Sequence, residues 1–222
     1  MGGIGSETAL TQPPTIGLRE FTLETQLILL DLEFTCWEDS LRTNWSDVER
    51  PPEVIEVAVV AYDSARDAVS ESFASFVRPG KNVELSSYCT GLLYISQSDI
   101  DQAPRLKDVL AGMAEWVARL GISGEPTCSW GINDRIFLAQ DAQRSGCRDP
   151  FRACTHADLR SLYSVALRCP PTRIYDRDDA RRILGLSPNN KRHSALADAL
   201  DLVQFCRMLR SDRALQAFAA PS

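Results

Sequence analysis

A chain of 222 residues with 44% apolar and 24% charged side chains has the make-up of an ordinary folded protein, long enough for one domain burying roughly 70–75% of its unfolded surface. No apolar stretch approaches the roughly 20 residues of a membrane-spanning helix and no charged-then-apolar leader opens the chain, while seven cysteines without CxxC or metal spacing read as reduced thiols, so a cytoplasmic protein is expected. The net charge of −6 speaks against a nucleic-acid partner, because phosphate backbones are met by excess Lys and Arg, unless acids hold metal: two divalent ions on four acids would leave −2 and invert the local field.

Residues 1–20 carry Gly, Thr and the Pro13-Pro14 pair without periodicity and read as a disordered tail. The opening MGGIGS fits a myristoylation pattern at Gly2 and Ser6, a pattern short enough to match by chance, and is counted with that tail. The domain is expected over 21–212, with 213–222 as a C-terminal tail. Gln26–Asp31 and Val54–Ala61 are apolar or β-branched runs of strand length, and 72–77 (SFASFV) alternates before the Pro79-Gly80 turn. Residues 106–120 place Leu106, Val109, Leu110, Met113, Val117 and Leu120 at helical spacing and stop at Gly121. Cys128–Trp130 is a short strand, and Asn133 an N-cap for a helix reaching about Ser145. Helices at 157–167 and 176–184 flank the Cys169-Pro170-Pro171 break, and a last helix covers 194–210 with Leu196, Leu200 and Val203 as its apolar positions. Strands first, then helix and strand alternating, predict an α/β domain with a central mixed sheet and helices on its faces.

The first strand ends on two like charges. Side chains at i and i+2 of a strand share a face, so Asp31 and Glu33 point the same way about 6.6 Å apart, with Leu27 and Leu29 behind them. At an effective dielectric near 20 they repel by roughly 2.5 kcal/mol before desolvation. Either a divalent cation offsets this, since hard cations take carboxylate oxygens, or the strand end reaches water, where paired acids cost little.

Two further stretches bear on that choice. DLEFT at 31–35 resembles the first motif, DxExT, of the DEDDh-type 3′-5′ exonucleases, members of the proofreading-exonuclease superfamily with an RNase H-like fold. CSWGINDRIFL at 128–138 resembles their second motif, in which an acid opens a helix after a Ser-Trp strand, and HSALADA at 193–199 resembles their third, HxALxDA. Through PPEVIEVAVV, FVRPG and YCTGLLYISQSDIDQAP the resemblance is closest to the histone-mRNA and small-RNA 3′ exonucleases and their bacterial relatives, and it covers nearly everything after the tail.

The resemblance implies an RNase H-like fold, with a five-stranded mixed sheet, and two-metal phosphodiester hydrolysis. Asp31, Glu33 and Asp198 would hold one Mg²⁺ or Mn²⁺ ion, Asp31 would bridge to a second near Asp134, and His193 would take the proton of the attacking water. Each residue has a plainer reading. Asp134 sits where a carboxylate favours a helix dipole, and His193 follows Lys191 and Arg192 in a polar loop where a histidine is ordinarily solvated. On a continuous helix His193 and Asp198 would lie about 140° apart, so His193 must precede the first turn to work beside Asp198. Asp141, further along the same helix, reads as a solvated surface charge. His156, the other histidine, belongs to no motif.

Substrate contacts implied by the resemblance are Phe34 and Thr35, with Phe34 equally readable as core. Where related exonucleases have TGIT, this chain has Leu93-Tyr94-Ile95-Ser96, so Tyr94 either stacks on a base or fills space. Arg181, Arg182, Lys191 and Arg192, and more weakly Arg173 and Arg177, are candidates for a phosphate-facing patch, though charge runs are more often solvated faces. The expected substrate is the 3′ end of single-stranded RNA, releasing 5′-mononucleotides. Single-stranded DNA, or a weakly active binding protein on the same fold, are the alternatives.

Overall fold

A computed structural model describes residues 12–168, 176–187 and 193–211. Its elements in chain order are α1 (Leu18–Leu23), β1 (Gln26–Phe34), α2 (Ser40–Thr43), β2 (Val54–Asp63), β3 (Ala68–Phe76), α3 (Ser87–Leu93), α4 (Gln97–Asp101), α5 (Leu106–Arg119), β4 (Thr127–Ser129), α6 (Asn133–Arg144), β5 (His156–Asp158), α7 (Leu159–Ala166), α8 (Arg177–Leu184) and α9 (Ala195–Arg210). The strands form one sheet ordered β3-β2-β1-β4-β5. β1 runs antiparallel to β2 and parallel to β4, which is parallel to β5. This is the five-stranded mixed sheet flanked by helices that the sequence predicts.

Apolar residues fill both faces of β1 and β2 because both lie inside the sheet. Leu27 and Leu29 join the core that includes Leu159, Leu162, Leu202 and Phe205 of α7 and α9. Ile28, Leu30 and Leu32 face the other way, into a core with Val109, Leu110 and Met113 of α5 and Leu138 of α6. The period of two therefore assigns Asp31 and Glu33 to the α9 side. Among the described residues no helix is long and apolar enough to cross a membrane.

Several boundaries differ from the sequence reading. β1 continues three residues past Asp31, so both acids lie within the strand. β5 takes up the start of the helix expected at 157–167, because a three-residue strand set by pairing with β4 has no periodicity of its own. Ile132, not Asn133, occupies the N-cap of α6, and Asn133 is its first helical residue. The predicted N-terminal tail reaches too far: the Ile16 N–H donates to the His156 carbonyl at 2.9 Å, the His156 N–H donates to the Pro14 carbonyl at 2.8 Å, and Leu18 is buried. This segment extends the β5 edge, an interaction that local composition does not announce. Residues 1–11, the 213–222 tail and the Cys169-Pro170-Pro171 break lie outside the described residues.

Asp141 is the plainest correction. It is 4% exposed rather than solvated, and its carboxylate accepts the Val54 N–H at 2.8 Å and pairs with Arg144 at 3.3 Å. Burial raises its pKa, against the pull of the Val54 N–H. It ties α6 to the first residue of β2. Asp141→Ala is expected to orphan that N–H and lower stability by about 1–3 kcal/mol in a urea melt, with kcat unchanged in the surviving folded fraction.

Candidate active site

The C-terminal end of β1 brings Asp31 and Glu33 against the first turn of α9. There Asp31, Glu33 and Asp198 each offer a carboxylate oxygen, and these oxygens lie within 4.8 Å of one another. Two alanines, Ala195 and Ala199, both with no exposed surface, let α9 lie close on the sheet. The buried stripe is Ala195, Ala199, Leu202, Cys206 and Leu209, whereas Leu200 is 41% exposed. Of the three apolar positions expected for this helix, Val203 is buried in the same core and Leu196 packs against it, and Leu200 alone faces outward. Asp198, 4% exposed, turns inward toward β1. Its place in the first turn also sets a carboxylate against the positive end of the helix dipole.

Asp134 arrives from the opposite face of the sheet. It lies in the first turn of α6, and its Oδ1 accepts the Leu32 N–H at 3.2 Å, between the two strand acids. It stands outside the tightest triad but inside the same field. Burial, the largest influence, raises the pKa of Asp31 well above its ordinary value against the pull of Arg177, with further upward pushes from Asp134, Glu33 and Asp198. Burial followed by repulsion from Asp198, Glu56 and Asp134 raises Glu33 to about 8. Asp134 is pushed up to about 7, again chiefly by burial, with Arg177 and the Leu32 N–H pulling down. Clustered on one spot, the carboxylates of Asp31, Glu33 and Asp198 could hold a divalent cation.

Two residues of the cluster are not placed there by the sequence. Glu56 stands directly across β2 from Glu33 and accepts the Ala195 N–H at 3.2 Å, fastening the start of α9 beside the site. Burial raises its pKa, and Asp198 adds to the rise. Its signal was available, as the one charge inside VIEVAVV. Arg177, ranked among the weakest phosphate candidates, instead pairs with Asp198 at 2.7 Å and Asp31 at 3.2 Å. No local pattern marked it, since α8 meets β1 only through the tertiary fold.

His193 precedes the N-cap Ser194 and adopts φ +61°, so it stands outside the helix, as work beside Asp198 requires. It lines a cavity of about 230 Å³ with Asp198, Arg177, Asp176 and Asp178. His156 is fully buried, bonded to Thr127 at 3.0 Å and Ser129 at 3.3 Å, and burial pushes its pKa down to about 4. It is a neutral structural residue.

Among the substrate candidates, Phe34 is half-buried and meets Phe137 edge-to-face at 5.1 Å. Thr35 is 2% exposed, and its hydroxyl accepts the Glu53 N–H at 3.1 Å, so its side chain holds the strand end in place. Tyr94 is 84% exposed at the C-cap of α3, with φ +56°. Arg181 is not phosphate-facing as expected: it is 4% exposed and spent on Asp201 and the Ser187 carbonyl. Arg182 pairs with Asp179 at 3.0 Å. Arg173, Lys191 and Arg192 lie outside the described residues.

The exonuclease family RNase_T matches residues 28–205, from β1 through most of α9. The chain belongs to this exonuclease family. The 3′-5′ exonuclease Snipper of Drosophila melanogaster is 27% identical over 203 residues, covering 83% of this chain and 69% of that protein. ERI1 exoribonuclease 2 of Mus musculus is 25% identical over 204 residues, covering 82% of this chain but 28% of the relative. The chain therefore spans under a third of that longer protein. The fold matches the nuclease domain of 3′hExo, a DEDDh family member solved bound to rAMP, with a TM-score of 0.76 at 23% identity over 86% of this chain and 95% of that one.

Proposed function

We propose that this domain is a metal-dependent 3′-5′ exonuclease that removes 5′-mononucleotides from single-stranded RNA. The observation that carries the reading is the convergence of Asp31, Glu33 and Asp198, from one strand and one distant helix, within 4.8 Å, beside a cavity that His193 lines. The donor set is all carboxylate oxygen, the chemistry that Mg²⁺ and Mn²⁺ take. Asp31, Glu33 and Asp198 would hold one such ion, with Asp31 and Asp134 available to a second. Bound there, divalent ions would supply Lewis-acid stabilisation of the attacking and leaving oxygens.

The protein's own groups do the rest. His193, outside the helix and beside Asp198, takes the proton from the attacking water and releases it to solvent. Glu56 keeps the start of α9 in register so that Asp198 stays within reach of β1. Thr35 fixes the strand end, while Phe34 beside Phe137 offers a ring edge to the terminal nucleotide. The RNA preference rests on the exoribonucleases among the relatives. Purified protein incubated with 3′- and 5′-labelled single strands of RNA and DNA, in Mg²⁺, Mn²⁺ or EDTA, tests direction, sugar and metal together. Stepwise shortening of 5′-labelled RNA in metal alone is the expected result. Equal or faster decay of DNA would move the substrate assignment, and decay in EDTA would end the metal reading.

Tyr94 gives a separate test of the terminal-base contact. A tyrosine at φ +56° with 84% of its surface in water is strained and gains little from burial. Tyr94→Gly is expected to stabilise the fold by about 0.5–1 kcal/mol. If the ring stacks on a base, the same change weakens RNA binding by about 1–3 kcal/mol, raising KM while melting temperature rises. A raised melting temperature with unchanged KM would assign Tyr94 no substrate role.

A further inference from the structure

Four acids of the site, Asp31, Glu33, Asp134 and Asp198, already have a cation in their midst. Arg177 donates through Nη1 to Asp31 Oδ1 at 3.2 Å and to the Asp198 carbonyl at 3.3 Å, and its Nη2 lies 2.7 Å from Asp198 Oδ2. The guanidinium thus bridges β1 and α9 through two of the three residues whose oxygens form the tight triad. Burial disfavours its charge, yet Asp31, Asp198 and Asp134 together hold its pKa above the ordinary arginine value. It is a committed cation in a concave acidic site, unlike the surface arginines Arg182 and Arg207.

We propose that Arg177 is a resident counter-ion that keeps the acid cluster folded in the absence of metal, and that divalent cation binding must displace it. Resting as it does on the metal-dependent reading above, this assignment adds an exchange that the reading by itself does not require. The reason is geometric. A divalent ion must approach a carboxylate oxygen to roughly 2.0–2.6 Å. An ion held by Asp31 and Asp198 would share its two carboxylates with a guanidinium already bonded to both, and the two positive groups would repel at close range. Arg177 is the first residue of α8 and lines the 230 Å³ cavity beside the cluster, so its side chain can turn into open space without unpacking the core. The exchange links metal loading to release of an arginine whose planar fork suits a phosphate, at the mouth where nucleic acid would enter.

The test uses the wild-type chain and two readouts that do not depend on turnover. Mn²⁺ binding is followed by loss of the free-ion EPR signal, and Arg177 accessibility by phenylglyoxal labelling read by mass spectrometry. Arg177 is expected to be protected in EDTA and to label several-fold faster in saturating Mn²⁺, while other arginines change little. Arg177→Gln is expected to bind Mn²⁺ about tenfold more tightly or better and to melt at lower temperature in EDTA. Wild-type protein that binds no Mn²⁺ would defeat the metal reading itself. Protein that binds Mn²⁺ with Arg177 still protected would overturn the displacement alone, even if the variant bound more tightly, because a static neighbouring charge also weakens binding.

Discussion

His193→Ala is expected to lower kcat by at least about 10²–10⁴-fold, the range that a positioned general base contributes, while Mn²⁺ binding stays within about twofold of wild type. The separation follows from where the residue sits. The carboxylates of Asp31, Glu33 and Asp198 form the cation donor set without it, and His193 stands before the helix, lining the cavity rather than completing the triad. Its backbone at φ +61° is a conformation that asparagine tolerates better than alanine, so His193→Asn provides a variant with the same loop shape and no base. Both variants should lose turnover, and added imidazole should restore part of it in the alanine variant. Unchanged hydrolysis in His193→Asn would remove the residue from the chemistry.

Glu33→Gln is expected to cut turnover by at least about 100-fold, the upper scale for losing a group that merely orients a metal ligand, and yet to stabilise the metal-free protein at alkaline pH. The sign follows from Glu33, whose pKa of about 8 in the folded chain lies far above its ordinary 4.5. Between those values the native state binds a proton that the unfolded chain does not, so stability falls as pH rises through that window. At pH 5.5 the carboxyl is protonated and nearly isosteric with the amide, and the variant should melt close to wild type. At pH 9 the wild type buries a carboxylate among Asp198, Glu56 and Asp134, and the amide should be more stable by a few kcal/mol. Divalent metal should reverse the ranking, because it rewards the carboxylate and expels its proton. Urea melts at both pH values, with and without Mn²⁺, check all four cells. Equal stability at pH 9 would mean that Glu33 is under neither the burial nor the repulsion that raise its pKa.

The clustered acids and the proposed base were legible because each sits in a short stretch whose local form fixes its direction. Asp31 and Glu33 share a strand face by the period of two, Asp134 opens a helix, and His193 falls just before one. Arg177 and Glu56 were not placed in the cluster, for different reasons. Glu56 acts across a strand pair and through the Ala195 N–H, partners far apart in the chain. Arg177 is locally an ordinary residue at the start of a charged helix, and only the docking of α8 gives it Asp31 and Asp198. Asp141 and Arg181 were misread in the same direction. Each looks solvated on its own helix, and each is buried by a neighbour that sequence spacing does not name, the start of β2 for Asp141 and Asp201 of α9 for Arg181.

Sequence alone determined the family resemblance, the mixed five-stranded sheet and the identity of the acids, because strand period, helix starts and short motifs are properties of neighbouring residues. The tertiary structure decided which way α9 is turned, what lies buried behind β2 and which cation stands among the carboxylates. Those depend on close approach between segments far apart in the chain, 87 residues for Asp141 and Val54 and 146 for Arg177 and Asp31, where the turn of a helix separates an acid in water from an acid in the site.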